Sequence, residues 1–214
     1  MNLSGDARTL WDAAVALDRA AGRVSPARRL PPMLFFTDPV RTPEPWRTAG
    51  ALPAGAGVVY RAFGAPQAEA VARRLRAVTA DRGVRLLIGL DAELAEQIGA
   101  DGVHLPERAL ASAATLRGYR PDWLLTGAAH SQAAVDSAPT DLDALILSPV
   151  FPAGGASADK AVLGVEAFAD IVRSSRLRIH ALGGITADTV ARLTGTGACG
   201  FAAVEAIQRA FSED

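Results

Sequence analysis

The fold is decided by the stretch Gly99-Ala100-Asp101-Gly102-Val103-His104-Leu105-Pro106-Glu107. A helical run ends at Gly99, a short apolar strand follows, and a polar turn comes directly after the strand. Two later stretches, 178–185 and 197–205, repeat this order of features. Each places glycine or a polar residue where a strand leads into a helix. A barrel of alternating strands and helices builds its functional site from such strand ends.

The composition limits the classes of protein to which the chain can belong. Its 214 residues, 50% of them hydrophobic, are enough to bury the core of one barrel-sized domain. The net charge of -1 supplies no basic surface, so we expect no nucleic-acid partner. No stretch reaches about 20 apolar residues, and the first residues lack a signal-peptide pattern, so we expect no membrane span. With Cys199 as its one cysteine, a core residue by its apolar surroundings, the chain is expected in the reducing cytoplasm.

A helix is predicted over residues 6–22, before the repeating units begin. Apolar residues recur there every three or four positions, and Gly22 is the stop signal. A basic segment with several prolines follows. The sequence therefore divides into an N-terminal helix and linker, 1–32, and a barrel domain, 33–214. We expect the apolar face of this helix to pack on the outside of the barrel or against a partner subunit, which leaves a homodimer open.

Eight strand and helix units follow in alternation. Strands are predicted at 33–37, 57–60, 85–88, within 99–107, and at 123–126, 144–147, 178–182 and 200–204, with helices that include 68–80, 92–98, 165–172 and 187–193. A proline-rich segment is expected to replace a regular first helix. Several strands are uninterrupted apolar runs, which is typical of parallel strands buried on both faces. The prediction is a (β/α)8 TIM barrel with an extra N-terminal helix. An open doubly wound sheet is the alternative, but such sheets rarely need eight units.

The loop over 149–161 has the composition of a mobile lid. It contains proline, glycine, serine and alanine, with Lys160 as its single basic residue. Loops of this kind often cover sites at strand ends. We therefore include Lys160 among the candidate substrate-binding residues.

Four motifs carry a resemblance to a known family. They are 99–105, Ser148-Pro149-Val150-Phe151-Pro152, Ala181-Leu182-Gly183-Gly184-Ile185, and 197–204. In order and spacing they resemble the thiamine-phosphate synthase and thiazole tautomerase (TenI) superfamily. The resemblance implies an eightfold barrel that acts on the phosphorylated thiazole half of thiamine. Such a synthase joins this thiazole to a pyrimidine diphosphate with Mg²⁺ and releases pyrophosphate, whereas the tautomerase shifts a proton on thiazole carboxylate phosphate.

The resemblance also allows the diphosphate-binding positions to be compared. In the synthase, the second strand ends with a glutamine, an arginine and a lysine. Arg61 matches that arginine, but Val59 and Phe63 stand where the glutamine and the lysine would be. Gly89 occupies the position of an asparagine that binds pyrophosphate. Arg61 is therefore the one candidate at these positions for binding an anionic group.

The metal-binding positions differ further from the family pattern. Leu90 and Ala109 stand where the synthase has the two aspartates that hold Mg²⁺. Asp91, Glu93 and Glu107 lie nearby, but carboxylates that are shifted along the start of a helix point in other directions. We expect no metal ligands and no cofactor, with Mg²⁺ needed only if the chain is a synthase with relocated ligands.

Histidines offer a different chemistry. The stretch 126–131 is similar to the tautomerase segment whose histidine shuttles the proton, and His130 falls on that position. A histidine at a strand end can serve as an acid or base near neutral pH. The alternative is a histidine at a helix start, beside the cap residue Ser131. His104 and His180 lie within predicted strands and are interpreted as core or mouth residues, His104 being also a candidate for substrate binding.

The predicted phosphate site combines favourable and unfavourable residues. Gly183 and Gly184 match the family glycines whose backbone amides approach phosphate. Glu205 replaces the serine usual in the family at the start of the last helix, and its carboxylate would repel a phosphate. Either Arg61 neutralises Glu205 across the mouth, or the ligand is not a phosphate. Asp38 is a further candidate: it pairs with Arg61, acts as a base, or caps a turn.

These observations lead to one main hypothesis and two alternatives. The main hypothesis is tautomerase-like proton transfer on a thiazole phosphate, with His130 as the proton shuttle and Arg61 binding an anion. The first alternative is a thiamine-phosphate synthase. The second is a barrel that binds its ligand without turnover. In each case the expected partner is a phosphorylated small molecule.

Overall fold

Eight parallel strands form a closed barrel in the computed structural model, which describes residues 3, 5–22, 30–152 and 161–212. The strands are β1 (Met33–Phe36), β2 (Gly57–Tyr60), β3 (Arg85–Gly89), β4 (Gly102–Leu105), β5 (Leu124–Ala129), β6 (Ala144–Leu147), β7 (Arg178–Leu182) and β8 (Gly200–Ala203). Each strand pairs with the next, and β8 pairs with β1, which closes the barrel. The predicted TIM barrel is confirmed, and the open-sheet alternative is wrong.

The stretch 99–107 connects three strands of the barrel. Gly99, at φ +66°, ends the preceding helix in the left-handed conformation that glycine adopts without strain. The side chain of Asp101 accepts a hydrogen bond of 2.8 Å from the backbone N–H of Leu86, at the start of β3. Gly102 lies against β5 so closely that a Cβ there would come within 1.9 Å of the carbonyl oxygen of Leu124. The position of β4 between β3 and β5 therefore requires glycine at 102.

Alternating residues fill two layers. Inward-facing residues of the strands form a cluster inside the barrel that includes Leu34, Phe36, Val59, Leu87, Ile146 and Ala202. The residues between them face outward and pack under the helices in a second, larger cluster that includes Phe35, Val58, Leu86, Leu125, Leu145 and Phe201. Because successive side chains on a strand point to opposite faces, these apolar runs supply both layers. The interior is a packed core, so a site can open only at its ends.

Eight α-helices surround the described strands: α1 (Gly5–Ala20), α2 (Pro45–Ala51), α3 (Ala68–Arg82), α4 (Ala92–Gln97), α5 (Ala113–Tyr119), α6 (Gln132–Asp136), α7 (Val165–Ser174) and α8 (Glu205–Phe211). The apolar face of α1 contains Leu10, Ala14 and Leu17 and packs on the barrel wall near β1, β8 and α8. Within the residues that the structure describes, no helix is long and apolar enough to cross a bilayer.

Three element predictions need correction. The proline-rich segment after β1 contains helix α2, because Pro45 occupies its first turn, where the missing N–H costs nothing. The helix predicted over 187–193 is a short 3₁₀ helix, Val190–Leu193, and a second one, Glu107–Ser112, follows β4. Strand β5 continues three residues beyond Thr126, to Ala129. This extension brings His130 to the barrel mouth.

Candidate active site

A cavity of about 290 Å³ opens at the carboxyl ends of the strands. Its walls come from segments that follow five consecutive strands of the closed barrel, β6, β7, β8, β1 and β2. The lining residues include Ser148, Gly183, Gly184, Glu205, Arg41 and Arg61. Active sites of TIM barrels lie at this end. The cavity is therefore the candidate active site.

Gly183 and Gly184 form a tight turn directly after β7. Their φ angles of +103° and +62° lie in the region that favours glycine. A Cβ on Gly183 would lie 2.7 Å from the Cβ of Pro149, and one on Gly184 would lie 2.2 Å from the carbonyl oxygen of Pro152. Within the described ranges, neither amide N–H of the two glycines donates a hydrogen bond. Two unused donors beside a cavity suit an anion.

Arg61, which follows β2, carries a half-buried cation. Its Nε donates a hydrogen bond of 2.8 Å to the carbonyl oxygen of Thr37. Its guanidinium carbon lies 5.2 Å from the ring centres of both Phe36 and Phe63. Burial lowers the pKa of Arg61 to about 10, although the charge of Asp38 acts in the opposite direction. Among the described residues, the buried Nη2 has no hydrogen-bond partner and no carboxylate forms an ion pair with Arg61. The site thus contains a cation that lacks an anion.

The predicted pairing of Arg61 with Glu205 is wrong. Glu205 instead lies 3.7 Å from Arg41 and 3.6 Å from Arg209. Arg41 lies in the loop after β1, the strand between β2 and β8. Arg61 donates its hydrogen bond to the carbonyl oxygen of Thr37. The sequence analysis does not identify Arg41, whose only signal is its position three residues after Asp38 of the Asp38-Pro39 pair.

Asp38 forms the turn that positions Arg41. Its Oδ1 accepts hydrogen bonds of 3.0 Å from the backbone N–H groups of Val40 and Arg41, and its Oδ2 pairs with the Arg41 guanidinium at 3.0 Å. Burial raises the pKa of Asp38, but these hydrogen bonds outweigh burial and leave the pKa below its usual value. The turn-cap interpretation of Asp38 is confirmed, and its pairing with Arg61 is wrong.

His130 lies immediately after β5 and is exposed. Its backbone N–H donates to Glu107 at 2.9 Å. Its Nδ1 lies 3.0 Å from the carbonyl oxygen of Ser148 and 3.1 Å from the Ser148 hydroxyl. Ser148 lines the cavity whereas His130 does not, so the imidazole adjoins the cavity through Ser148. Its catalytic role stays a prediction.

The other two histidines are buried. His104 lies inside the barrel, with Nδ1 3.0 Å from the Thr126 hydroxyl and its ring edge-on to Phe36. Burial, then the charges of Arg61 and His130, lower the pKa of His104 to about 3. His180 contacts Cys199 Sγ at 3.3 Å, and Cys199 is buried as expected. The predicted substrate-binding role of His104 stays untested.

Lys160 lies outside the described residues, as do 153–159 of the predicted lid.

The residues near Leu90 and Ala109 do not fit a carboxylate-held Mg²⁺. The carboxylate of Asp91 accepts from the backbone N–H of Leu94 and caps α4. That of Glu107 accepts from the N–H of His130. Across the described ranges, no group of three or more histidine, cysteine, aspartate or glutamate residues is arranged to hold a metal. The nearby carboxylates are thus used in local structure.

Comparison with known proteins identifies the family of this chain. A family model described as thiamine monophosphate synthase (TMP-TENI) matches residues 44–207. The thiamine-phosphate synthase of Methanoculleus marisnigri is 33% identical over 134 residues, which cover 62% of this chain and 64% of that protein. The thiamine-phosphate synthase of Bacillus velezensis is 33% identical over 141 residues, 65% of this chain and 62% of that protein. The matches thus span less than two thirds of these relatives.

A solved structure supports the fold independently. The thiamine phosphate pyrophosphorylase from Pyrococcus furiosus superposes with a TM-score of 0.72 at 24% identity, over 88% of this chain and 95% of that one. At this identity the likeness establishes the barrel alone. The family model covers more than half of the chain, which establishes the family. The chain therefore belongs to the thiamine monophosphate synthase (TMP-TENI) family.

Proposed function

We propose that this chain joins a phosphorylated thiazole to a pyrimidine diphosphate and releases pyrophosphate. The observation that carries the proposal is the presence of two anion-binding features on one cavity. The first feature is Arg61 after β2, whose Nη2 has no hydrogen-bond partner among the described residues. The second is the pair of unused amide N–H groups of Gly183 and Gly184 after β7, three strands away around the barrel. A reaction between two phosphorylated molecules needs two such features. The relatives named thiamine-phosphate synthase also support this activity over the tautomerase activity, which is the main hypothesis from the sequence.

The chemistry requires stabilisation of a leaving anion. The bond between the pyrimidine methylene carbon and the diphosphate oxygen breaks, and the thiazole nitrogen forms the new bond to that carbon. Negative charge accumulates on the departing diphosphate. Arg61 is already desolvated, so its attraction for this charge is stronger than that of a solvated cation. Arg41 lines the same cavity and offers further N–H donors, although Asp38 and Glu205 compensate its charge.

The magnesium ion of the family reaction is not part of this proposal. Leu90, Ala109 and the engaged carboxylates around them do not supply a carboxylate cluster for it. We assign no step to the metal. The residues assigned to the diphosphate are Arg61 and Arg41.

The test is a direct assay of both products. Purified protein is incubated with thiazole phosphate and pyrimidine diphosphate, with and without added Mg²⁺, and thiamine phosphate and pyrophosphate are quantified. We expect both products in equal amounts, and their loss in Arg61→Gln. Arg74→Gln is the matched control, because Arg74 stacks on Trp46 at 4.0 Å and does not line the cavity. Absence of thiamine phosphate under every condition would overturn the proposal.

Proton transfer is the second candidate, favoured by the contact between His130 and Ser148. A carbonyl oxygen only accepts hydrogen bonds, so Nδ1 of His130 carries the proton in that contact. Nε2 of the neutral ring is then left as a base. Exchange of the thiazole proton in thiazole carboxylate phosphate tests this candidate. If neither exchange nor condensation occurs while ligand binds, the non-catalytic barrel is the remaining function.

A further inference from the structure

Exposed apolar side chains gather on one part of the barrel mouth. Val40, Phe63 and Leu90 follow β1, β2 and β3, which are neighbours in the barrel, and we call these three residues the apolar rim. Phe63 is 72% exposed and Leu90 is 47% exposed. An exposed apolar group at the functional end of a barrel indicates a binding surface.

The backbone holds two of these side chains in an unfavourable conformation. Phe63 has φ +49° and Leu90 has φ +67°, and in the described part of the chain no other residue with a side chain has positive φ. Glycine would adopt these angles without the steric penalty. Strained positions of this kind cluster at ligand-binding sites. Both side chains are therefore kept at the mouth despite a conformational cost.

The rim adjoins the unpaired cation. The guanidinium carbon of Arg61 lies 5.2 Å from the ring centre of Phe63 and 5.2 Å from that of buried Phe36. Its Nη2 remains without a partner among the described residues. An exposed aromatic surface next to an unsatisfied positive charge is complementary to an aromatic molecule that carries a negative charge.

We propose that the apolar rim and Arg61 form a subsite for a planar heteroaromatic ring that bears an anionic group. The ring packs on Phe63 and Leu90, and the anion accepts from the guanidinium of Arg61, which lines the adjoining cavity. This inference rests on the proposed function, in which the pyrimidine diphosphate is such a molecule. The family resemblance puts a lysine and a metal-binding aspartate at positions 63 and 90. In this chain, apolar contact with the ring takes the place of those charged contacts.

A small molecule suits the rim better than a second copy of the chain. Three side chains expose an area on the order of a few hundred Å² at most, whereas a stable interface buries about 800 Å² on each partner. The nearby cation also requires a specific anion. A ring with one anionic group meets both conditions.

The test compares two anions that differ by the ring. Calorimetry measures the dissociation constants of pyrimidine diphosphate and of inorganic pyrophosphate for the wild type and for Phe63→Gly, Phe63→Ala, Arg61→Gln and Tyr119→Ala. We expect Phe63→Gly to weaken binding of pyrimidine diphosphate about tenfold more than binding of pyrophosphate, as loss of one stacked aromatic contact predicts. Arg61→Gln weakens both ligands. Tyr119→Ala, an exposed aromatic residue at the end of α5, changes neither.

The choice of variants separates a loss of binding from a loss of folding, and binding is measured without any need for turnover. Glycine at position 63 suits the left-handed backbone, so Phe63→Gly removes the ring without added strain. Equal affinity of the wild type for both anions, or equal loss of both in Phe63→Gly, would overturn the subsite. A wild-type dimer that dissociates in Phe63→Gly would instead assign the rim to a second copy. If no thiamine phosphate forms but the selectivity for the ring holds, the proposed function fails and the subsite stands.

Discussion

The Nδ1 atom of His130 lies 3.0 Å from the carbonyl oxygen of Ser148. This contact joins the residue after β5 to the residue after β6, and because a carbonyl oxygen only accepts, it favours the tautomer with the proton on Nδ1. The same pattern orients histidines that act as general bases through Nε2. The orientation is set by backbone geometry, since the acceptor is a carbonyl group.

Replacement of His130 tests whether this orientation serves proton transfer. His130→Gln removes the base, so proton exchange on thiazole carboxylate phosphate should fall by about 10² to 10⁴ while ligand affinity is retained. Ser148→Ala retains the carbonyl acceptor for Nδ1, so its rate of proton exchange should fall much less. NMR measurement of deuterium incorporation gives the rates, and calorimetry gives the affinity. Unchanged exchange in His130→Gln would exclude His130 as the base.

Arg61 is predicted to serve binding at the expense of stability. A buried cation without an anion is unfavourable in the folded state, and burial lowers its pKa to about 10. Arg61→Met should therefore abolish binding of inorganic pyrophosphate and leave Tm equal to or higher than that of the wild type. Thermal melts and calorimetry measure the two effects. A lower Tm in Arg61→Met would mean that the hydrogen bond to Thr37 outweighs the cost of burying the charge.

Glu205 is predicted to weaken phosphate binding. Its side chain is 43% exposed and lines the cavity together with Gly183 and Gly184. Glu205→Gln removes a negative charge near the anion, worth about 1 kcal/mol at contact distance in water, or roughly a fivefold gain in affinity. The gain should shrink as salt is added. Asp122→Asn is the control, because Asp122 precedes β5 at the other end of the barrel and should leave affinity unchanged.

The strands were predictable because burial on both faces leaves a strong signal. The apolar runs at 57–60, 144–147 and 178–182 coincide with β2, β6 and β7. The end of β5 was missed because the small residues between Thr126 and His130 carry no clear strand pattern. Helix α2 is not evident in the sequence because proline breaks a helix in its interior but is favourable in its first turn, where Pro45 lies.

The ionic partners at the mouth were less predictable than the strands. The sequence identifies Arg61 and Glu205 as neighbours around the barrel, but not which atoms meet. The turn that Asp38 caps brings Arg41 close to Glu205, and Arg61 instead donates a hydrogen bond to the carbonyl oxygen of Thr37. Such pairing depends on loop dihedrals, which residue types alone do not determine.

The buried ion pair between Asp143 and Arg117 is predicted to be essential for stability. Asp143 is 7% exposed in its side chain and accepts 2.8 Å hydrogen bonds from Arg117 and from the backbone N–H of Leu125. Asp143→Ala leaves a buried guanidinium without this partner and should cost about 3 to 5 kcal/mol of unfolding free energy. Asp170→Ala breaks an exposed pair with Arg173 on α7 and should cost less than about 1 kcal/mol. Urea denaturation measures both, and equal losses would contradict the prediction.

The low pKa of His104 predicts a specific loss of stability in acid. The folded-state value is about 3, lowered by burial and then by Arg61 and His130, against 6.5 for the free side chain. Between these values the unfolded chain binds a proton that the folded chain does not, so stability falls as pH decreases from about 6.5 towards 3. The slope approaches about 1.4 kcal/mol per pH unit.

The prediction for His104 is tested by a difference between two proteins. Urea denaturation at pH 7, 6 and 5 is compared for the wild type and for His104→Gln, which keeps a side chain able to hydrogen-bond to Thr126 but does not titrate. Other titrating groups, such as His180 with its raised pKa, contribute to both proteins and cancel in the difference. The stability advantage of the wild type should therefore shrink by about 2 kcal/mol between pH 7 and pH 5. Parallel curves would mean that His104 takes up its proton in the folded barrel as readily as in the unfolded chain, which its burial beside Arg61 argues against.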